Sequence, residues 1–183
     1  MTPSEEEAVR LHRKHGSNDA VIRHCKTVAM VTGIIAEEFT RQGKEFDSKA
    51  AVAGALLHDI GRSKIQTVKH GVEGSKILEK EGVDEVVVQI VRRHVGAGIT
   101  PGEARTLGLP ANDYIPRTRE QIVVCFADKM IDAERVRPFE EEVRRFERKG
   151  HDVKRLLALR RILKADLGVD PETLIFGKIK GTR

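Results

Sequence analysis

The sequence has no hydrophobic run approaching the ~20 apolar residues that a transmembrane helix requires. Its first twenty residues are dominated by Glu, Arg, Lys and His, not by the apolar stretch of a secretion signal. Neither a membrane span nor a signal peptide is expected, and the expected location is cytoplasmic. Cysteine is scarce as well. Cys25 and Cys125 each lie inside an apolar stretch, where a free thiol behaves as a small hydrophobe. One pair without a secretory signal reads as two reduced thiols, although spacing alone leaves a disulfide between them open. Asn, Gln, Cys and Met together number only eleven, and that scarcity beside 33% charged residues points toward a thermophilic source. Strand signals are nearly absent, and there is no internal repeat, low-complexity tract or Pro/Gly/Ser-rich linker.

What is present is a chain of 183 residues with 39% apolar residues, enough for one full hydrophobic core and too short for two comfortable ones. Helix signals recur along nearly all of it, so the expected fold is all-α: a single-domain helical bundle over residues 1–176, followed by a polar tail, 177–183, of a composition compatible with disorder. Glu5 to Lys14 opens on three acids, which suits a helix N-terminus. Ser17, Asn18 and Asp19 offer caps for a long helix to about Arg41, with Val28, Val31 and Ile35 on one stripe. A third helix begins near Asp47 or Ser48 and is stopped by Gly61. Within it Ala51, Gly54 and Ala55 form a low wall that admits another helix closely. Further helices are expected from Val72 to Lys80, Asp84 to Val95, Thr118 to about Arg135, Phe139 to Lys149 and Asp152 to Leu167. Thr100, Pro101 and Glu103 match an N-cap, first-turn proline and capping-box acid for a short helix to Leu107.

Charge is unevenly placed. Arg144 to Lys164 carries nine Lys or Arg against two acids, although the whole chain is only +5. Such a stretch, within basic helices over 139–167, can attract phosphate-rich partners such as RNA or nucleotides. A solvated helix face explains it more economically.

Two features carry chemistry. Ala55-Leu56-Leu57-His58-Asp59-Ile60-Gly61 sets an imidazole beside a carboxylate at the C-terminal end of an apolar helix, where the helix dipole disfavours negative charge. A bound cation removes that objection. Asp128 interrupts the apolar run Ile122 to Ala127, and a carboxylate in a buried helix costs several kcal/mol without a partner. Lys129 is adjacent but expected to point elsewhere, which leaves a metal as the simplest partner. His24 starts the apolar stripe of the second helix. His12, His15 and His151 lie in strongly charged surroundings and read as solvated surface histidines.

His24, then His58-Asp59, then Asp128, with the run Leu57-His58-Asp59-Ile60-Gly61, resembles the HD superfamily in its HDIG variant, over Asp19 to about Arg135. The resemblance implies a helical bundle with a divalent-metal site within 19–135, and hydrolysis of phosphate esters of nucleotides or nucleic acids. His70 and His94 match histidines that complete a second site in the two-metal branch. The metal-ligand set so implied is His24, His58, Asp59, His70, His94 and Asp128, holding one or two divalent transition metals (Fe, Mn, Co, Ni or Zn). Cyclic dinucleotide phosphodiesterases of the HD-GYP type match less well: their Gly-Tyr-Pro segment and the histidine paired with His94 are missing here.

With Asp59 shared between two cations, a bridging water would be activated for attack on phosphorus. Arg62 and Lys64, with Arg92 and Arg93 as second choices, are the expected groups for the phosphoryl charge. Asp59 and Lys64 are the expected catalytic residues, with Lys64, a metal-held water or an unligated histidine as the leaving-group acid. The expected partners are a phosphorylated small molecule, a nucleotide or an RNA end. Two other readings use the same residues. A di-iron oxygenase resembling inositol oxygenase would need the same six ligands, and a non-catalytic nucleotide- or RNA-binding module would use a structural metal with the basic segment 144–164.

Overall fold

Asn18 accepts a hydrogen bond from the Val21 amide, and helix α2 (Asp19–Arg41) then repeats apolar residues every three or four positions. Ile22, Cys25, Val28, Ile35 and Phe39 are consequently buried on one stripe. The computed structural model describes residues 1–181, and among them ten α-helices, one 3-10 turn and one short hairpin. Helix α1 (Glu5–Lys14) precedes α2 and is closed by a reciprocal Ser4–Glu7 capping box.

Helix α3 (Ser48–Leu57), capped by Asp47 on the Ala50 amide, is apolar on nearly every side and lies at the centre of the bundle. It is enclosed by α2, by α5 (Glu85–Arg93) and by α7 (Arg119–Lys129). The low wall expected on α3 has its physical partner in Ile90 of α5: a Cβ on Gly54 would sit 2.6 Å from that side chain. Phe39, Leu57, Ile90 and Phe126 are fully buried between these helices, each contributing on the order of 1.5–3 kcal/mol of burial.

The 3-10 turn η1 (Ile60–Ser63) leads to α4 (His70–Lys80), which packs on η1 and α5. Helix α6 (Pro101–Thr106) carries the Thr100–Glu103 capping box expected from the sequence. Helices α8 (Phe139–Arg148), α9 (Lys154–Leu167) and α10 (Pro171–Gly181) follow. Leu156, Leu159, Leu163 and Leu167 of α9 are buried, and α9 packs against α7. No helix among the described residues is long and apolar enough to cross a membrane.

Several elements differ from expectation. Helix α7 stops at Lys129 instead of about Arg135, because strands β1 (Ile131–Asp132) and β2 (Arg135–Val136) fold back as an antiparallel pair, with Ala133 left-handed at φ 53° in the turn. Helix α4 starts at His70, two residues earlier than expected. The stretch from 177, expected as a polar tail, continues α10 to Gly181, and Thr182 and Arg183 lie outside the described residues. His12 is buried, with ring nitrogens 2.8 Å from Ser17 Oγ and 2.8 Å from the Leu56 carbonyl, so it ties α1 to the end of α3 and is not a surface histidine. Both cysteines are buried free thiols.

Candidate metal centre

Four histidines reach one point from four different elements, and each is oriented by the same device. The Nδ1 of His24 lies 2.9 Å from the Ala133 carbonyl, that of His58 2.8 Å from Ala55, that of His70 2.7 Å from Thr67 and that of His94 2.7 Å from Val91. A carbonyl only accepts, so each Nδ1 is the protonated nitrogen and each Nε2 is left to present a lone pair. Three of these carbonyls lie three residues before the histidine; those of Ala55 and Val91 are in the last turns of α3 and α5, where carbonyls lack helical partners, and that of Thr67 is just ahead of α4. The fourth comes from the left-handed Ala133 of the hairpin turn.

The four Nε2 atoms converge on two carboxylates. His24 Nε2 is 3.1 Å and His58 Nε2 3.5 Å from Asp128 Oδ1. Asp59, just beyond the end of α3, divides its oxygens. Its Oδ2 faces His58 at 3.7 Å and His24 at 4.0 Å, whereas Oδ1 faces His70 at 3.1 Å and His94 at 3.5 Å. Two sets of possible ligand atoms result, His24–His58–Asp59 and Asp59–His70–His94, sharing Asp59. All six residues expected as ligands are thus brought together.

The polar chemistry of this cluster is incomplete without a cation. His58 Nε2 and Asp59 Oδ1 are buried and make no hydrogen bond. His70 Nε2 and His94 Nε2 stand 2.9 Å apart, although both rings already use their Nδ1 protons on carbonyls. Two lone pairs at that distance repel unless a proton or a metal lies at them. Burying such groups unsatisfied costs free energy. Imidazole Nε2 atoms oriented through Nδ1, together with carboxylates, form the donor set that suits divalent transition metals, so the residues fit the group.

Electrostatics follow from the same contacts. Burial drives the His94 imidazolium down to about 4, with the neighbouring His58 and His70 rings adding to the effect and Asp59 opposing it. For Asp59 burial would raise the pKa, but the neighbouring imidazoles of His58, His70 and His94 hold the carboxyl well below its ordinary range. Asp128 is likewise held low against burial, chiefly by Lys129 and then by His24 and His58. Lys129 differs from expectation: its side chain curls back, with Nζ 2.5 Å from Asp128 Oδ2, so Asp128 has a cationic partner on one oxygen and imidazoles on the other.

A cavity of about 670 Å³ opens over the cluster. Arg62 lines it, with Nε 2.5 Å from Asp59 Oδ2. The other three expected phosphate-binding residues do not line it. Lys64 is exposed past η1, Arg92 is engaged with Ser75 and Glu79, and Arg93 is bound to Gln89 and to the Ile115 carbonyl. In their place Lys129, Arg145 and Lys149 reach the cavity wall. The last two belong to the basic segment taken above as a solvated face. Glu142, Arg145, Phe146 and Lys149, at positions i, i+3, i+4 and i+7, all line the cavity, the pattern of one helix face. That spacing, with Phe146 among the cations, is the signal that marks the segment as part of a site.

The family model described as HD domain matches residues 21–131. Among relatives, a tRNA (cytidine(56)-2'-O)-methyltransferase of Picrophilus torridus is 38% identical over 151 residues, 82% of this chain and 43% of that protein. A protein of the same name from Thermoplasma volcanium is 36% identical over 176 residues, 95% of this chain and 51% of that protein. The chain therefore spans about half the length of these curated relatives. An uncharacterized protein of Methanocaldococcus jannaschii is 38% identical over 150 residues, 80% of this chain and 89% of that protein. Among solved structures, the phosphodiesterase PgpH HD domain of L. monocytogenes aligns with a TM-score of 0.49 at 16% identity, covering 81% of this chain and 92% of that one.

Proposed function

Because the chain belongs to the HD-domain family, we propose that it is a divalent-metal-dependent phosphohydrolase acting on a phosphate ester of a nucleotide or an RNA end. The observation that carries this reading is Asp59, whose two oxygens face two different histidine pairs. His24, His58, Asp59 and Asp128 would hold one cation, and His70, His94 and Asp59 a second. Divalent cations bound there supply Lewis acidity to a water and to a phosphoryl oxygen.

The chain's own residues do the rest. Arg62, fixed by Asp59, presents its remaining guanidinium donors to phosphoryl oxygens at the cavity wall. Arg145 and Lys149 add positive charge on the side formed by α8. Lys129, which Asp128 keeps charged against burial, adds a further positive charge at the cavity wall, which Lys64 does not reach. The two relatives named as tRNA methyltransferases support RNA, or a nucleotide derived from it, as the substrate side of the reading.

The test is Asp59→Asn. Asn offers one neutral acceptor where the carboxylate offers two charged oxygens, so it cannot serve both histidine pairs. Wild-type protein with added manganese, cobalt or nickel is expected to hydrolyse at least one of a panel of nucleoside monophosphates, 2',3'-cyclic phosphates, dinucleoside polyphosphates and RNA ends. The variant should lose that activity by at least about a thousandfold while keeping its helical circular dichroism. A near wild-type rate in the variant contradicts the reading. Iron-dependent oxygen consumption without any hydrolysis would instead identify an oxygenase.

A further inference from the structure

The space over the candidate metal centre continues past its histidines. Val68, Val95, Gly96 and Phe146 line the metal-centre cavity and also a neighbouring cavity of about 570 Å³. The two are lobes of one cleft, meeting at that shared wall. Their chemistry differs. The first lobe holds the histidines and carboxylates with Arg62, Lys129, Arg145 and Lys149, whereas the second is walled by Ile99, Leu107 and the glycine-rich backbone of 96–98. Leu107 is 41% exposed at the rim, and the half-buried Phe146 ring meets His151 edge-on, with centroids 5.6 Å apart. The polar rim of the second lobe is His151, Asp152 and the Glu103–Arg155 ion pair at 2.6 Å.

A bare phosphate has no use for the apolar lobe, and a purely apolar ligand has no use for the charged one. A molecule with a phosphate at one end and a flat ring at the other satisfies both. Each lobe lies within the ~300–1,000 Å³ of a small-molecule site, which fits one nucleotide laid across the shared wall. We infer that the second lobe is a nucleobase slot, in which Phe146 supplies the ring face and Leu107 and Ile99 the apolar sides, for a mononucleotide whose phosphate lies at the metal centre. This rests on the phosphohydrolase reading only for the position of the phosphate.

Calorimetric titration of the full, manganese-loaded chain tests it, with the hydrolysis-resistant phosphonate analogues of adenosine 5'-monophosphate and of ribose 5-phosphate as probes. They share sugar and acid and differ in the base. The adenosine analogue is expected to bind at least about tenfold tighter, as a stacked base contributes. Phe146→Ala and Leu107→Glu should each bring the two probes within about twofold, and Leu107→Glu, at a residue outside the metal-centre cavity, should leave the ribose analogue unchanged. Leu107 is exposed, so its variant keeps the test intact if the Phe146 variant fails to fold. Equal affinities in the wild type, a preference that survives both substitutions, or a base preference seen only with an oligoribonucleotide overturns the slot. A base preference in protein that hydrolyses no phosphoester sustains the slot and fails the hydrolase reading, and hydrolysis without a base preference does the reverse.

Discussion

At the scale of single residues, Lys129 separates what neighbouring positions can show from what a long side chain can reach. Adjacent helical residues point about 100° apart, so the sequence places Lys129 away from Asp128. The flexible four-carbon stem nevertheless brings Nζ to Asp128 Oδ2, and both groups are largely buried. Removing the cation from such a pair leaves an uncompensated charge. Lys129→Met is therefore expected to destabilise the metal-free protein by about 3 kcal/mol, and the metal-loaded protein by clearly less, since a bound cation replaces the missing charge on Asp128. Thermal melts with and without manganese measure both. An equal loss in the two states would mean that no cation reaches Asp128. That the six candidate ligands would come together was legible because polar groups stood on apolar helix faces in a familiar order. Among the cationic residues Arg62 was legible, but proximity in sequence to His58-Asp59 favoured Lys64, and proximity to His94 favoured Arg92 and Arg93, over Arg145 and Lys149, which α8 and its C-cap bring in from far along the chain.

Between elements, the spacing is set by glycines on facing surfaces. A Cβ on Gly61 would stand 2.0 Å from the His70 carbonyl and 2.6 Å from the Gly74 amide, so η1 and the start of α4 approach backbone to backbone. That approach brings His70 to Asp59. At Gly54 the same test meets only the Ile90 side chain. Gly61→Ala should cost about 3 kcal/mol or more and weaken metal binding at the His70–His94 side, while Gly54→Ala should cost less, because a side chain repacks where backbone cannot. Urea denaturation ranks the two, and the reverse order would contradict this packing. The docking of α9 on α10 gives a pH test. Burial would raise the Asp170 pKa, but Arg160, 3.1 Å away through two nitrogens, holds it below the ordinary 3.8. A folded pKa below the unfolded one gives stability that is present above about pH 4 and lost as pH falls through the folded value. Asp170→Asn should therefore lower the melting temperature at pH 6 by a few degrees, with the gap from wild type narrowing toward pH 3. A gap independent of pH would exclude the ion pair as its cause. Most helices and the Thr100 capping box could be read in advance because caps and apolar spacing agreed. The end of α7 could not: Ala133 and Glu134 are poor turn residues, and contacts of the hairpin with His24 and with Arg23 override their local preference.

For the whole molecule, the all-helical bundle and its membership of the HD-domain family follow from one core of α2, α3, α5 and α7, on which α4 and α8 close the two sides of a single cleft. The fold was legible in the sequence because nearly every segment carried one periodicity. The cleft was not, since it depends on where α8 lies after the hairpin turns the chain. The six candidate ligands all lie within this chain, which spans about half the length of the two relatives named as methyltransferases. The central claim is that one carboxylate, Asp59, serves two histidine pairs. The most direct measurement is metal titration followed by elemental analysis of the wild type and of the His70→Ala/His94→Ala double variant, with circular dichroism confirming the fold. The account predicts two transition-metal ions per chain at saturation in the wild type and one in the double variant. No bound metal in the wild type, or two ions still bound in the double variant, would contradict it.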